Sequence, residues 1–194
     1  YDSLLENRTW NLPRITPTHG GMETLDAVSC ERDAHSVSFT YHIGTLAITF
    51  TYTLLDGALK LVATVKNLGS ETAYLNTFSF ISRLPGKDGV TFDYPCNTPL
   101  GEMTVSALSP YQVVESGLVN FATHIKAFDS EMNLLFIDDI EKWSCGVYHD
   151  GEKTNVVYSA SLEADLLPDA TLEVGNFYVQ PCDPALSPYI QIRN

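Results

Sequence analysis

The chain has 194 residues, 44% of them hydrophobic and 18% charged, a balance that excludes disorder and supplies one domain with a substantial core. Its 11 Lys and Arg against 24 Asp and Glu give a formal net charge of −13, which repels phosphate and excludes nucleic acid and anionic membranes as partners. No apolar run approaches the roughly 18 residues of a membrane span. The start, Tyr1-Asp2-Ser3, lacks Met and a signal pattern, so the expectation is a cytoplasmic domain cut from a longer chain.

The first thirty residues are the least regular and are expected to wrap an edge. From Leu46 to Leu54, large apolar residues alternate with Thr and Ala, the period of a strand with one core face. Asp56-Gly57 then predicts a tight hairpin turn, because Gly accepts positive φ at no steric cost. Leu59, Leu61, Ala63 and Val65 alternate in the return strand, which ends at Asn67-Leu68-Gly69-Ser70. Ala73 to Ser82 has a mixed pattern, expected of a strand buried on both faces or bulged. Val90 to Tyr94, Leu118 to Phe128, Asn133 to Asp138, Cys145 to His149, Thr154 to Leu162 and Leu172 to Gln180 complete the predicted strands. Asp129-Ser130 and Asp150-Gly151 read as turns, and Asp139 to Lys142 as one helical turn. Pro181, Pro184 and Pro188 make residues 181–194 an exit segment. Strands at such spacing predict an all-β, two-sheet antiparallel sandwich of about ten to fourteen strands with little helix.

Cys30, Cys96, Cys145 and Cys182 form no CxxC pair, so zinc is not expected and free thiols are favoured over two disulfides. Nucleotide-binding, zinc-protease and serine-hydrolase motifs are absent. Asp138, Asp139 and Glu141 could bind calcium as a loop but read more readily as a solvated turn; no cofactor or metal is assigned. His149 with Glu152, and His124 with Glu115, are the acid–base pairs that sequence proximity offers, and no catalytic residue is assigned. The candidate ligand-binding group is Trp143, Tyr148, His149 and Asp150, at a hairpin end. An aromatic ring can cover the apolar face of a pyranose there while the imidazole and carboxylate bond its hydroxyls. The competing reading makes Trp143 a core plug.

The run Phe50 to Leu75, with its Asp-Gly turn, its L-x-L-x-x-x-V-x-N strand and its Asn67–Gly69 turn, resembles the β-supersandwich domains of carbohydrate-active proteins. These have the galactose-mutarotase-like topology. Leu172 to Gln180 is similar to their closing strand, which in α-galactosidase and raffinose-synthase type glycosidases leads into a catalytic barrel. The resemblance implies a non-catalytic, sugar-contacting accessory domain with a carbohydrate ligand and a catalytic domain in the same chain. Aldose 1-epimerases resemble the same topology and use a Glu and a His on one sheet face, but no position here matches that pair by sequence. A lyase, or a structural or interaction module of unstated oligomeric state, are the remaining alternatives.

Overall fold

The computed structural model describes residues 10–16, 27–84, 86–93, 103–116, 122–127, 130–136, 143–183 and 185–191. Fourteen strands make up almost all of the regular structure among them: β1 (Trp10–Thr16), β2 (Ser29–Arg32), β3 (Ser36–Ile43), β4 (Leu46–Leu55), β5 (Ala58–Asn67), β6 (Ala73–Leu84), β7 (Val90–Asp93), β8 (Met103–Thr104), β9 (Val114–Ser116), β10 (Ala122–Ala127), β11 (Ser130–Phe136), β12 (Trp143–His149), β13 (Thr154–Leu166) and β14 (Thr171–Pro181). A 3-10 turn at Val105–Ala107 and one helical turn at Pro188–Gln191 are the only helical pieces among the described residues.

The strands form two antiparallel sheets. The large sheet has nine strands in the order β2-β3-β4-β5-β14-β11-β10-β7-β8, and the small sheet five in the order β1-β6-β13-β12-β9. The Asp56-Gly57 turn is where the sequence places it, with Gly57 at φ +81° closing β4 onto β5 in register from Leu55↔Ala58 to Leu46↔Asn67. The alternation of β4 and β5 puts Leu46, Ile48, Phe50, Leu61, Ala63 and Val65 into the space between the sheets. Phe50 there meets Phe78 of the small sheet at a ring-centroid distance of 6.0 Å. Burying each such ring stabilises the sandwich by about 1.5–3 kcal/mol.

The irregularity expected of β6 lies in its partner. Between Ser161↔Thr77 and Ala164↔Leu75, β13 carries one residue more than β6, and Glu163 takes a φ of +43° at this bulge. The Asn67 turn is held from within. Asn67 is fully buried; its Nδ2 donates to the carbonyls of Glu71 (2.7 Å) and Leu166 (2.9 Å), and its Oδ1 accepts from Gly69 N–H (2.9 Å). Pro181 is the last paired residue of β14, and no strand follows it among the described residues. No helix among the described residues is long and apolar enough to cross a membrane.

Candidate functional site

Strand alternation assigns every side chain of the large sheet to one of two faces. Val90 and Phe92 of β7, Ile125 and Ala127 of β10, Met132 and Leu134 of β11, and Phe177 and Val179 of β14 belong to the core. Their chain neighbours point the other way. Asp93, His124, Asn133 and Gln180 are Cα partners across those four strands, so they form one polar row on the outer face of the sheet. Thr91, Lys126 and Glu131 stand in the adjacent row, where Cys182 N–H donates to the Glu131 carbonyl at 2.9 Å.

The row is closely packed. His124 is 3% exposed and Asn133 fully buried. Nδ1 of His124 lies 3.2 Å from Asp93 Oδ1, and Nε2 lies 3.3 Å from Glu131 Oε2. The side chains of those acids remain 18% and 27% exposed, so the carboxylates are the solvent-facing part of the triad. Nε2 is itself buried and makes no aligned hydrogen bond. Further along, Asn133 Nδ2 donates to Gln180 Oε1 at 3.4 Å, and Gln180 Nε2 donates to the Gln191 carbonyl at 3.3 Å. The row therefore ends on the Pro188–Gln191 turn. Burial, then the Glu131 and Asp93 carboxylates, push the Cys182 thiol up to about 11, against a backbone hydrogen bond at Asn133 that lowers it. This cysteine is no nucleophile near neutral pH.

Chemically, the row combines an imidazole held between two carboxylates with two side-chain amides. Together they offer acceptors and donors within a few ångströms, which matches a ligand whose groups both give and take hydrogen bonds. No group of three or more His, Cys, Asp or Glu placed to hold a metal ion occurs among the described residues. Away from the row, the same face becomes a ladder of hydroxyls: Ser38 with Thr51 and Thr40 with Thr49, each pair 2.9 Å apart.

The residues singled out from the sequence fall elsewhere. Trp143 and His149 are the two ends of β12, separated by about 20 Å at the rise of a strand, so Trp143 does not join the hairpin-end group. His149 is 3% exposed and occupied on both nitrogens: Nδ1 accepts from Gly151 N–H (3.0 Å), and Nε2 lies 2.8 Å from the Leu108 carbonyl, to which it donates. Its bonds tie the Leu108 loop to the hairpin, while Glu152 is exposed beyond it. Tyr148 and Asp150 are half-buried and stand close together at the end of the small sheet. Asp150 Oδ1 accepts from the N–H groups of Lys153 (2.8 Å) and Glu152 (3.1 Å), and these bonds, that of Lys153 foremost, hold its carboxyl below the ordinary value. Glu115 lies in the small sheet opposite Gly146, whereas His124 lies in the large sheet, so they form no pair. Asp138, Asp139, Glu141 and Cys96 fall outside the described residues; Cys30, Cys145 and Cys182 are free thiols.

His124 was visible as a strand histidine, but its partners come from β7 and β11. Glu131 and Asn133 come to lie beside it because β10 pairs antiparallel with β11, the next strand in the chain. Nothing local to the sequence places Asp93 there, because that neighbour depends on strand order.

Three solved structures illustrate what this architecture is similar to. The chain aligns over 82% of its length with 73% of a galactose mutarotase-like protein from Lactobacillus casei (TM-score 0.55, 14% identity). It aligns over 84% with 72% of a galactose mutarotase related enzyme from Lactobacillus acidophilus (TM-score 0.52, 11% identity). It aligns over 91% with 28% of the GH36 α-galactosidase AgaA from Geobacillus stearothermophilus (TM-score 0.56, 14% identity). The fold is the galactose-mutarotase-like β-sandwich. Identities this low establish the fold alone. No protein-family model matches the chain, and no curated protein matches its sequence.

Proposed function

We propose that this galactose-mutarotase-like sandwich is a carbohydrate-contacting domain, and that its contact surface is the outer face of the large sheet around Asp93, His124, Glu131, Asn133 and Gln180. The observation that carries the reading is the pair of partly exposed carboxylates, Asp93 and Glu131, held on either side of the buried His124 ring. The carboxylates turn toward solvent and can accept from sugar hydroxyls, with the His124 ring packed behind them. A neutral polyol also suits a chain whose net charge of −13 repels anions.

The domain acts as an accessory rather than a catalyst. His124 is 3% exposed and its Nε2 is buried, whereas a general base must reach the proton it abstracts. The match covers only 28% of the GH36 α-galactosidase chain, which suits a domain that accompanies a larger remainder.

A second reading, aldose 1-epimerisation, is favoured by one specific observation: a histidine and two carboxylates do share a sheet face. The two readings separate in one set of measurements. Thermal unfolding is followed with galactose, stachyose and a panel of other mono- and oligosaccharides, and polarimetry follows the interconversion of α-galactose. Saturating ligand stabilises the native state by about 2.7 kcal/mol at a hundredfold excess over Kd. The accessory reading expects a sugar-dependent rise in Tm that is lost in Glu131→Gln and Asp93→Asn, with no acceleration of mutarotation. Accelerated mutarotation abolished by Glu131→Gln establishes the epimerase instead. No Tm shift with any sugar, and no mutarotation, contradicts both.

A further inference from the structure

On the opposite side of the sandwich, at the hairpin end of the small sheet, a turn over Ser109–Gln112, closed by the Gln112 N–H on the Ser109 carbonyl at 3.0 Å, carries an exposed tyrosine. Tyr111 is 69% exposed, so its ring contributes little to the core, and its φ of +64° is that of the third residue of the turn. Three contacts fix it there. Tyr111 N–H donates to the His149 carbonyl at 2.8 Å, the buried His149 ring bonds the Leu108 carbonyl at 2.8 Å, and Val113 packs over Gly146 so closely that an added Cβ would stand 2.9 Å from its Cγ1. The loop is thereby clamped to β12 on both sides of the tyrosine. Its ring lies beside that of Tyr148, with centroids 6.4 Å apart and planes tilted by 31°.

Polar groups extend from this aromatic pair across the sheet. Tyr148, Asn155 and Arg83 are Cα partners on β12, β13 and β6, on the face away from core residues Val147, Val156 and Leu84. Arg83 Nε donates to Asn155 Oδ1 at 2.9 Å, and Asn155 Nδ2 donates to the Lys153 carbonyl at 3.2 Å, so the buried Asn155 ties the arginine to the hairpin. Asp150, a hydrogen-bond partner of Asn155, closes the end of the row. The span from Tyr148 to Arg83 is two strand spacings, about 10 Å, which accommodates one or two sugar rings.

The geometry points to a second binding site here, for a neutral pyranoside. The C–H face of the sugar rests on the Tyr111–Tyr148 pair, and its hydroxyls meet Arg83 and Asp150. A rigid aromatic held in place before binding loses little freedom when the ligand arrives, which is the physical use of the clamp on its loop. An apolar ligand would leave the Arg83–Asp150 end unmatched, and an anion would oppose Asp150 and the overall charge. This site lies on the other sheet from His124, and it stands or falls independently of the function proposed above.

The test is NMR on the whole chain with methyl β-glucopyranoside, methyl β-galactopyranoside and cellobiose as probes. Saturation transfer reports contact on the ligand, and amide shift changes report place on the protein. The site predicts saturation transfer to the ring C–H protons of at least one probe, with amide shifts at Tyr111, Gly146, Tyr148 and Asn155. Tyr111→Ala weakens binding about tenfold, while Tyr111→Phe, which keeps the ring, retains it. Glu131→Gln, on the other sheet, leaves these shifts unchanged. Absence of shifts at these amides with every probe up to its solubility, or binding unchanged in Tyr111→Ala, overturns the proposal. Tyr111→Ala folds normally because its ring is exposed, and an unchanged Tm confirms that the loss is local.

Discussion

Replacing Asn67 with alanine removes three hydrogen bonds at once from a side chain that no solvent reaches. The cost differs among the three partners. Leu166 is 5% exposed, so its carbonyl loses a donor that water cannot easily replace, a penalty of about 2 kcal/mol. Glu71 is exposed and Gly69 half-buried; both groups can rehydrate, at roughly 0.5 kcal/mol each. The sum, about 3 kcal/mol, is a large part of the 5–15 kcal/mol typical of a natural domain. The assay is equilibrium urea unfolding followed by circular dichroism. With a slope of about 2 kcal/mol/M the midpoint falls by about 1.5 M. Asn76→Ala, an exposed asparagine on β6, is the control and is expected to change stability by less than about 0.5 kcal/mol. A loss below about 1 kcal/mol for Asn67→Ala, or a loss equal to that of the control, would show that the turn is held by its backbone alone.

Three further outcomes follow from particular side chains. Because the Cys182 thiol is pushed up to about 11, its alkylation by iodoacetamide at pH 8 is slow and accelerates steeply up to pH 11; peptide mass spectrometry reads the rate, and fast labelling at pH 8 would refute the assignment. Asp33 and Asp150 are held below the ordinary carboxylate value, Asp33 chiefly by the His35 N–H and Asp150 chiefly by the Lys153 N–H. A depressed folded value stabilises the native state above the unfolded value of about 4 and is lost as pH falls through the folded value. The Tm gap between the wild type and an Asp33→Asn, Asp150→Asn double variant therefore narrows as pH drops below about 4, and a gap that widens there contradicts the sign. Gly146→Ala pushes Val113 outward and displaces the Tyr111 loop; the expected loss is about 1–2 kcal/mol in urea unfolding, with shifted amides at residues 111–113, and an unchanged loop spectrum refutes the packing.

Much of the sandwich was legible because strand faces and turns are written locally. Leu46, Ile48 and Phe50 announce their core side, although Leu54 in the same register is 67% exposed where β4 runs past the core, and Asp56-Gly57 announces the hairpin. The role of Asn67 was legible in outline: its bond to its own turn is local, whereas its bond to Leu166, 99 residues away, is not. The mixed pattern of β6 leaves burial on both faces or a bulge open, because a break in alternation does not say which strand holds the extra residue; that residue lies in β13, at Glu163. The candidate site was the least legible part. Proximity in sequence favoured Trp143 with His149, but a strand extends what it joins, and β12 carries the two to its opposite ends. Asp93 and His124 meet only because β7 pairs with β10, and strand order in an antiparallel sheet leaves no local mark.

The central claim is that carbohydrate meets the outer face of the large sheet. Amide shift mapping by NMR during titration with the mono- and oligosaccharide panel tests it most directly. The account predicts saturable shifts clustered at Asp93, His124, Glu131, Asn133 and Gln180, removed by Glu131→Gln. Saturable sugar binding that leaves all five amides unmoved, or no binding by any sugar in the panel, would contradict it.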